Sequence, residues 1–213
     1  MPTLRDAFDT FVWIVGKLGW GWGTSFVLFL VVIFLSYRLW KTPRPHMQFF
    51  DTRASLDKNR GGIGRELENN GEVFWVMWQV GHLMTQIAPG ARRKIQRMIL
   101  GNPRANEDIL NRWATTAGAG TAENIRSRII DATRLASEVG TSIRWNYEQS
   151  VSLVIANPSN TNNSGWIRIE FIAPFLLPTS RPSLVILQKD YPGLFSTFVL
   201  TYEKVWNDSM EPS

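Results

Sequence analysis

The protein has 213 residues, of which 44% are hydrophobic and 19% charged, so it has room for one globular domain of ordinary size plus appendages. It contains no cysteine and two histidines, His46 and His82. This excludes disulfides and thiolate metal sites, and no metal or cofactor is expected. The formal net charge of +5 is modest, and much of the positive charge follows one apolar segment near the N-terminus.

That apolar segment lies between Lys17 and Arg38 and reads LGWGWGTSFVLFLVVIFLSY, twenty residues without a charge. Twenty helical residues at about 1.5 Å each match a hydrocarbon core of roughly 30 Å, so residues 18–40 are predicted to form one transmembrane helix. A buried core helix is the alternative. The residues expected at the membrane interfaces are Trp20, Trp22, Tyr37, Arg38, Trp40 and Lys41.

The flanking charges predict the orientation of this segment. Two cations, Arg5 and Lys17, precede it, and several times as many follow it before residue 66. By the positive-inside rule, the protein is predicted to be a single-pass protein of the plasma (inner) membrane with its C-terminal domain in the cytoplasm. Residues 1–17 are then a short interfacial segment and residues 41–62 a basic juxtamembrane linker. Glycines near the start of the span could support a homo-oligomer or mark a loose helix start.

Residues 63–213 are predicted to form an α/β domain, a mixed β-sheet flanked by helices. The run EVFWVMW and residues 95–100 have the composition of buried strands, and Asn106 can cap a helix that follows them. A second helix is predicted over residues 121–139. Four further strands and a final helix are predicted from SIRWNY, SVSLVIA, GWIRIEFIA, PSLVILQ and YPGLFSTFVLTYEKVW. In WIRIEF, Arg168 and Glu170 alternate with apolar residues, so one face of that strand is more polar.

This element order, together with RMILGNP and PGLFSTFVLTYEKVW, resembles the phospholipase D-like superfamily, and is closest to its regulatory, often non-catalytic bacterial members. The resemblance covers roughly residues 63–208 and implies a phospholipase D-like half-domain. The family's His-x-Lys-x-x-x-x-Asp motif then falls on Ser150, Ser152 and Asn157. A serine without a basic partner is a poor nucleophile, and none of the three residues brings positive charge to a phosphoryl group. The resemblance therefore implies a non-catalytic domain.

The same polar residues are the candidate ligand site. Ser150, Ser152 and Asn157, with Asn102 after the second strand, could hydrogen-bond a phosphate or a base. The alternative is that each serves a turn or the backbone, as Ser and Asn near strand ends commonly do. The basic run ARRKIQR could meet phosphates or be a solvated turn. Nucleic acid is not expected as a partner, because no recognition motif for it is visible.

The sequence predicts a membrane-anchored, non-catalytic sensor or regulatory protein. Its cytoplasmic domain would bind a nucleotide, another phosphate-containing ligand or a protein partner and relay that event to the span, in one variant as a bacterial defence effector. The lipid bilayer and further copies of the chain are the expected partners. Two alternatives stay open: a membrane-bound phosphodiesterase or lipid hydrolase that relies on His46 and His82, and a simple membrane scaffold.

Overall fold

The computed structural model describes residues 47–147, 151–159, 161–172 and 176–212, apart from the side chain of His82. The predicted interfacial segment, transmembrane helix and membrane-interface residues lie outside these ranges, as do His46 and Ser150. Within the described ranges, no helix combines the length and apolarity that crossing a membrane requires. The predicted plasma-membrane location depends on residues 18–40 and stays a prediction.

Seven strands of the described chain form one mixed sheet, in the order β1-β7-β6-β5-β2-β3-β4. The strand β2 is parallel to β3 and β3 to β4, whereas the remaining neighbours are antiparallel. The predicted mixed α/β architecture is therefore confirmed. The strands are β1 Gln48–Phe50, β2 Phe74–Trp78, β3 Ile95–Gly101, β4 Ser142–Asn146, β5 Val151–Ala156, β6 Trp166–Phe171 and β7 Ser183–Leu187.

Helices cover both faces of the sheet, which is why β2 is buried along its whole length. Alternate residues of β2, such as Val76, pack in a core with Leu67 and Ile129 from helices of one layer. The residues between them, such as Trp75, pack against Tyr202 of the C-terminal helix on the other face. The helices are α1 Arg53–Arg60, α2 Gly62–Asn69, α3 Pro89–Arg92, α4 Glu107–Ala117, α5 Ala122–Glu138 and α6 Pro192–Asp208.

The structure differs from the prediction at residues 48–60, which were assigned to a linker and instead form β1 and α1. The Thr52 hydroxyl caps α1 by accepting a hydrogen bond from Ser55 N at 3.1 Å. At the other end, Gly61 adopts a φ of 84°, and its N–H donates to Asp57 O at 2.8 Å. Leu56, with no exposed surface, anchors the helix. The two capping contacts and the buried Leu56 stabilise a helix in a stretch whose polar composition is typical of a linker.

Candidate functional site

The polar face of β6 is buried beneath the helices rather than turned to solvent. Arg168 is 1% exposed and Glu170 is 5% exposed, and both point into the layer that contains α1 and α2. The sequence pattern predicted a polar face correctly. A charged pair at this depth requires compensation from other elements.

Arg168 receives that compensation from three carboxylates. Its Nη1 donates to Glu66 Oε2 at 2.8 Å, and its Nη2 donates to Asp57 Oδ1 at 2.8 Å and to Glu170 Oε1 at 3.0 Å. Burial alone would lower the pKa of Arg168, but the three carboxylates, with Glu170 the strongest, raise the pKa above its ordinary value. Arg168 is therefore held in its charged form as the centre of the buried charges.

Two further arginines complete this group. Arg60 Nε donates to Glu66, and Arg53 Nε lies 3.3 Å from an Asp57 oxygen and 3.7 Å from a Glu170 oxygen. We call the group the ion cluster: Arg53, Asp57, Arg60, Glu66, Arg168 and Glu170. It contains three guanidinium groups and three carboxylates, so its formal charges cancel.

Arg181 is a buried cation beside this balanced cluster. It is 5% exposed, its Nη2 donates to Thr116 O at 2.5 Å, and its Nε has no acceptor among the described residues. No carboxylate oxygen in the described part of the chain lies within 4.0 Å of it. Burial lowers its pKa, an effect that Glu170 opposes and Arg53 reinforces. Arg181 thus contributes one positive charge that the nearby ion cluster does not cancel.

A small cavity of about 30 Å³ adjoins Arg181. It lies where β2 ends at Trp78, and Gly101 N, at the end of the parallel strand β3, donates to Gln79 O at 3.0 Å in the same place. The carboxyl ends of parallel strands are a common position for ligand sites in open α/β sheets. Five residues give the cavity its polar lining: Arg53, Gln79, Ser152, Glu170 and Arg181. Five others give it apolar walls: Trp78, Val80, Leu83, Ala117 and Pro178.

Strand register and one threonine position the polar lining. Ser152 on β5 pairs with Glu170 on β6, so the two side chains share one face of the sheet. Thr116, in the last turn of α4, accepts from Arg181 through its carbonyl. Its hydroxyl has three acceptors within reach of its one hydrogen: Gln79 Oε1 at 3.2 Å, Arg112 O at 3.2 Å and Trp113 O at 3.1 Å. The Gln79 amide itself carries two N–H donors.

The predicted ligand row does not form a single site. Ser152 lines the cavity beside Arg181, and Asn102 follows β3 at the same end of the sheet, where the parallel strands β2 and β3 finish. Asn102 is 1% exposed, and its Oδ1 accepts from Arg104 N at 2.8 Å, which is a turn contact. Ser150 lies outside the described residues.

Asn157 follows β5 and lies at the opposite end of this strand from Ser152. It lines a separate, open cavity of about 370 Å³ and has a φ of 51°. Its Oδ1 accepts from Glu72 N at 3.0 Å and Val73 N at 3.3 Å. Ser152 and Asn157 therefore line separate cavities, and the structure does not bring them together.

The basic run around Arg92 is largely structural. Arg92 Nε donates to Ile87 O at 2.7 Å, and Lys94 Nζ donates to Leu67 O at 3.0 Å and to Glu68 O at 2.6 Å. Lys94 therefore satisfies carbonyls at the end of α2. Because both side chains donate to backbone carbonyls, they favour the interpretation of this run as a basic turn over its interpretation as a phosphate site.

Sequence reasoning missed Arg53, Gln79 and Arg181 as site residues. An arginine and a glutamate inside WIRIEF could have been read as a buried pair that needs partners. Nothing in the local sequence of Arg181 distinguishes it from an arginine in a solvated loop. Its importance comes from burial, which sequence alone does not give.

Comparisons with known proteins assign the chain to no family. No protein family matches the sequence, and no curated protein is significantly similar to it. Among solved structures, the chain is similar to that of TrmBL2, an archaeal chromatin protein with a novel mode of DNA binding, at 13% identity and a TM-score of 0.45. The match covers 98% of this chain and 69% of that one. A likeness this weak carries no argument about what this chain binds.

These comparisons correct two predictions. The phospholipase D-like resemblance is wrong, because no family model of that kind matches the sequence. The element order that suggested it recurs in many α/β domains and specifies no family. The partner prediction, a lipid bilayer with nucleic acid unlikely, is withdrawn as well, because the described residues contain no helix that could span a membrane and no family match supports setting nucleic acid aside.

Proposed function

We propose that the α/β domain is a non-catalytic, regulatory binding domain that takes a small anionic ligand in the cavity beside Arg181. One observation carries the proposal: Arg181 is 5% exposed and has no carboxylate partner among the described residues, although it lines a cavity. An isolated buried charge costs several kcal/mol unless a counter-charge or hydrogen bonds compensate it. An anion in the cavity would provide both.

The other lining residues are suited to binding. The Gln79 amide and the Ser152 hydroxyl can donate hydrogen bonds to an anion, and Arg53 adds a second guanidinium donor whose charge is balanced within the ion cluster. Glu170, the carboxylate among the described lining residues, already accepts from Arg168 at 3.0 Å. These groups hold a ligand, whereas catalysis would require a nucleophile activated by a base.

Ligand occupancy could also be transmitted to α1. Arg53 is a residue of α1 and lies 3.7 Å from Glu170, so an anion in the cavity would compete with Glu170 for its guanidinium group. Leu56 is the one buried residue of this helix, and the helix's ion pairs with Glu170 and Arg168 also anchor it. An element held mainly by charged contacts responds readily to a new charge.

Thermal unfolding of the full chain tests this function. Formate, acetate, sulfate and phosphate are each exchanged against chloride at constant ionic strength, for the wild type and for Arg181→Met. At least one anion should raise Tm of the wild type, because a ligand at a hundred times its Kd adds about 2.7 kcal/mol. For a chain of this size that corresponds to roughly 5–11 °C.

The matched control is Arg134→Met, which removes an arginine whose side chain is 62% exposed and pairs with Glu138. We expect this variant to keep the full anion response, whereas Arg181→Met should lose it. Absence of any response in the wild type, or an equal response in Arg181→Met, would reject the proposed function.

A further inference from the structure

The geometry points to a ligand that is a carboxylate bearing a short apolar group, an inference that rests on the proposed function. The first reason is charge. The ion cluster is balanced, so Arg181 leaves one unit of positive charge at the cavity, and Glu170 lines the same space. A carboxylate carries one negative charge at neutral pH. A phosphate monoester carries about 1.5 to 2, and the excess would face Glu170 in a buried setting.

The second reason is size. A buried water needs about 10–15 Å³ of this kind of volume, so a cavity of about 30 Å³ has room for two to three water-sized groups. A carboxylate with one carbon attached is about that size, and a longer chain would extend towards the opening. A whole nucleotide would leave most of its atoms outside, where the described lining offers it no contact.

The third reason is the chemistry of the walls. Trp78, Val80, Leu83, Ala117 and Pro178 contribute apolar surface to a space whose charged groups are Arg53, Glu170 and Arg181. Ligand sites commonly combine such apolar walls with a few placed polar groups. Apolar surface stabilises a methyl or methylene group, but it gives nothing to the outer oxygens of sulfate or phosphate.

The fourth reason is the guanidinium itself. Thr116 holds Arg181 through Nη2, while Nε keeps a donor without a described acceptor. The planar guanidinium matches a planar carboxylate, and an arginine already fixed by one contact loses little freedom on binding it. Thr116 is therefore a positioning residue for Arg181.

Affinities of the full chain for an anion series test the inference. Formate, acetate, propionate and butyrate are compared with sulfate and phosphate by titration calorimetry, with Arg181→Met as the negative control. Affinity should rise about fourfold for each carbon added, until the cavity is filled. Sulfate should bind at least about tenfold more weakly than the best carboxylate, because its second charge is uncompensated.

Glu170→Gln provides a reversal of selectivity. Removing this carboxylate leaves the neighbourhood of the cavity with a second uncompensated positive charge, so the preference should move from carboxylates towards sulfate. Circular dichroism establishes whether this variant folds, and if it does not, the wild-type series decides alone.

The possible outcomes separate the two proposals. If carboxylates and sulfate bind equally and both depend on Arg181, the anion site stands and the carboxylate assignment fails. If no anion binds, both proposals fail. Rising affinity along the carboxylate series, with weak sulfate binding and no binding to Arg181→Met, supports both.

Discussion

Replacing Arg168 by methionine should destabilise the fold strongly. The variant would leave Glu66, with no exposed side-chain surface, and Glu170, 7% exposed, without their central partner. Removing one member of a buried ion pair costs about 3–5 kcal/mol. Asp57 is 32% exposed and water compensates part of its loss, while the other arginines of the ion cluster remain. We therefore expect a loss of about 3 kcal/mol.

Replacing Arg181 by methionine should have the opposite sign. This arginine lacks a carboxylate partner, and burial lowers its pKa, so its charged form is disfavoured in the fold. Methionine removes that charge at the cost of one hydrogen bond to Thr116, worth about 1 kcal/mol. We expect a variant between unchanged and about 2 kcal/mol more stable, as is common where binding residues compromise stability.

Urea unfolding of the full chain, without added small anions and followed by tryptophan fluorescence, measures both effects. The slope of the transition should stay unchanged, so that the midpoints report stability. Arg134→Met is the control and should change stability by no more than about 0.5 kcal/mol. The reasoning is refuted if Arg168→Met costs less than about 1 kcal/mol, or if Arg181→Met is as destabilising as Arg168→Met.

Three further predictions concern other parts of the fold. Burial raises the pKa of Tyr202 well above its ordinary value, so its stabilisation is complete below about pH 10 and is lost as pH rises towards the folded-state pKa. Urea midpoints should therefore fall more steeply above pH 10 in the wild type than in Tyr202→Phe. A Cβ at Gly101 would meet Trp113 at 2.5 Å, so Gly101→Ala should lose about 1–3 kcal/mol in urea unfolding, whereas Gly90→Ala, with open space around it, should lose none. Asn157→Gly keeps the left-handed backbone but removes an acceptor for two backbone N–H groups, so it should lower Tm while leaving anion affinity unchanged.

Much of the fold could be predicted from local patterns in the sequence. The apolar runs of β2 and β3 could be identified as buried strands because covered strands lack alternation. Asn106 was predicted as a helix cap, and its side chain accepts from Ile109 N at 2.9 Å. The helix predicted over residues 121–139 is confirmed as α5. It could be predicted because an apolar stripe along one side identifies an amphipathic helix.

The site depended on contacts that no local pattern encodes. Arg168 pairs with Asp57 across 111 positions in the chain, and Arg181 reaches Thr116 across 65. The three-residue strand β1 and the short helix α1 were not predicted, because they lie in a polar, glycine-containing stretch that is typical of linkers. The predicted polar row contributed Ser152 to the cavity, but the charged groups around it come from β6, from α1 and from the loop before β7.

The most direct measurement is the arginine Nε–H region of a ¹H–¹⁵N spectrum of the full chain during acetate titration. The resonance of Arg181 is assigned by its absence in Arg181→Met. We predict that this resonance shifts in a saturable way, because its N–H gains an acceptor when the anion enters. If it stays in place while acetate saturates the protein, the anion does not bind at Arg181, and the function proposed for this cavity is wrong.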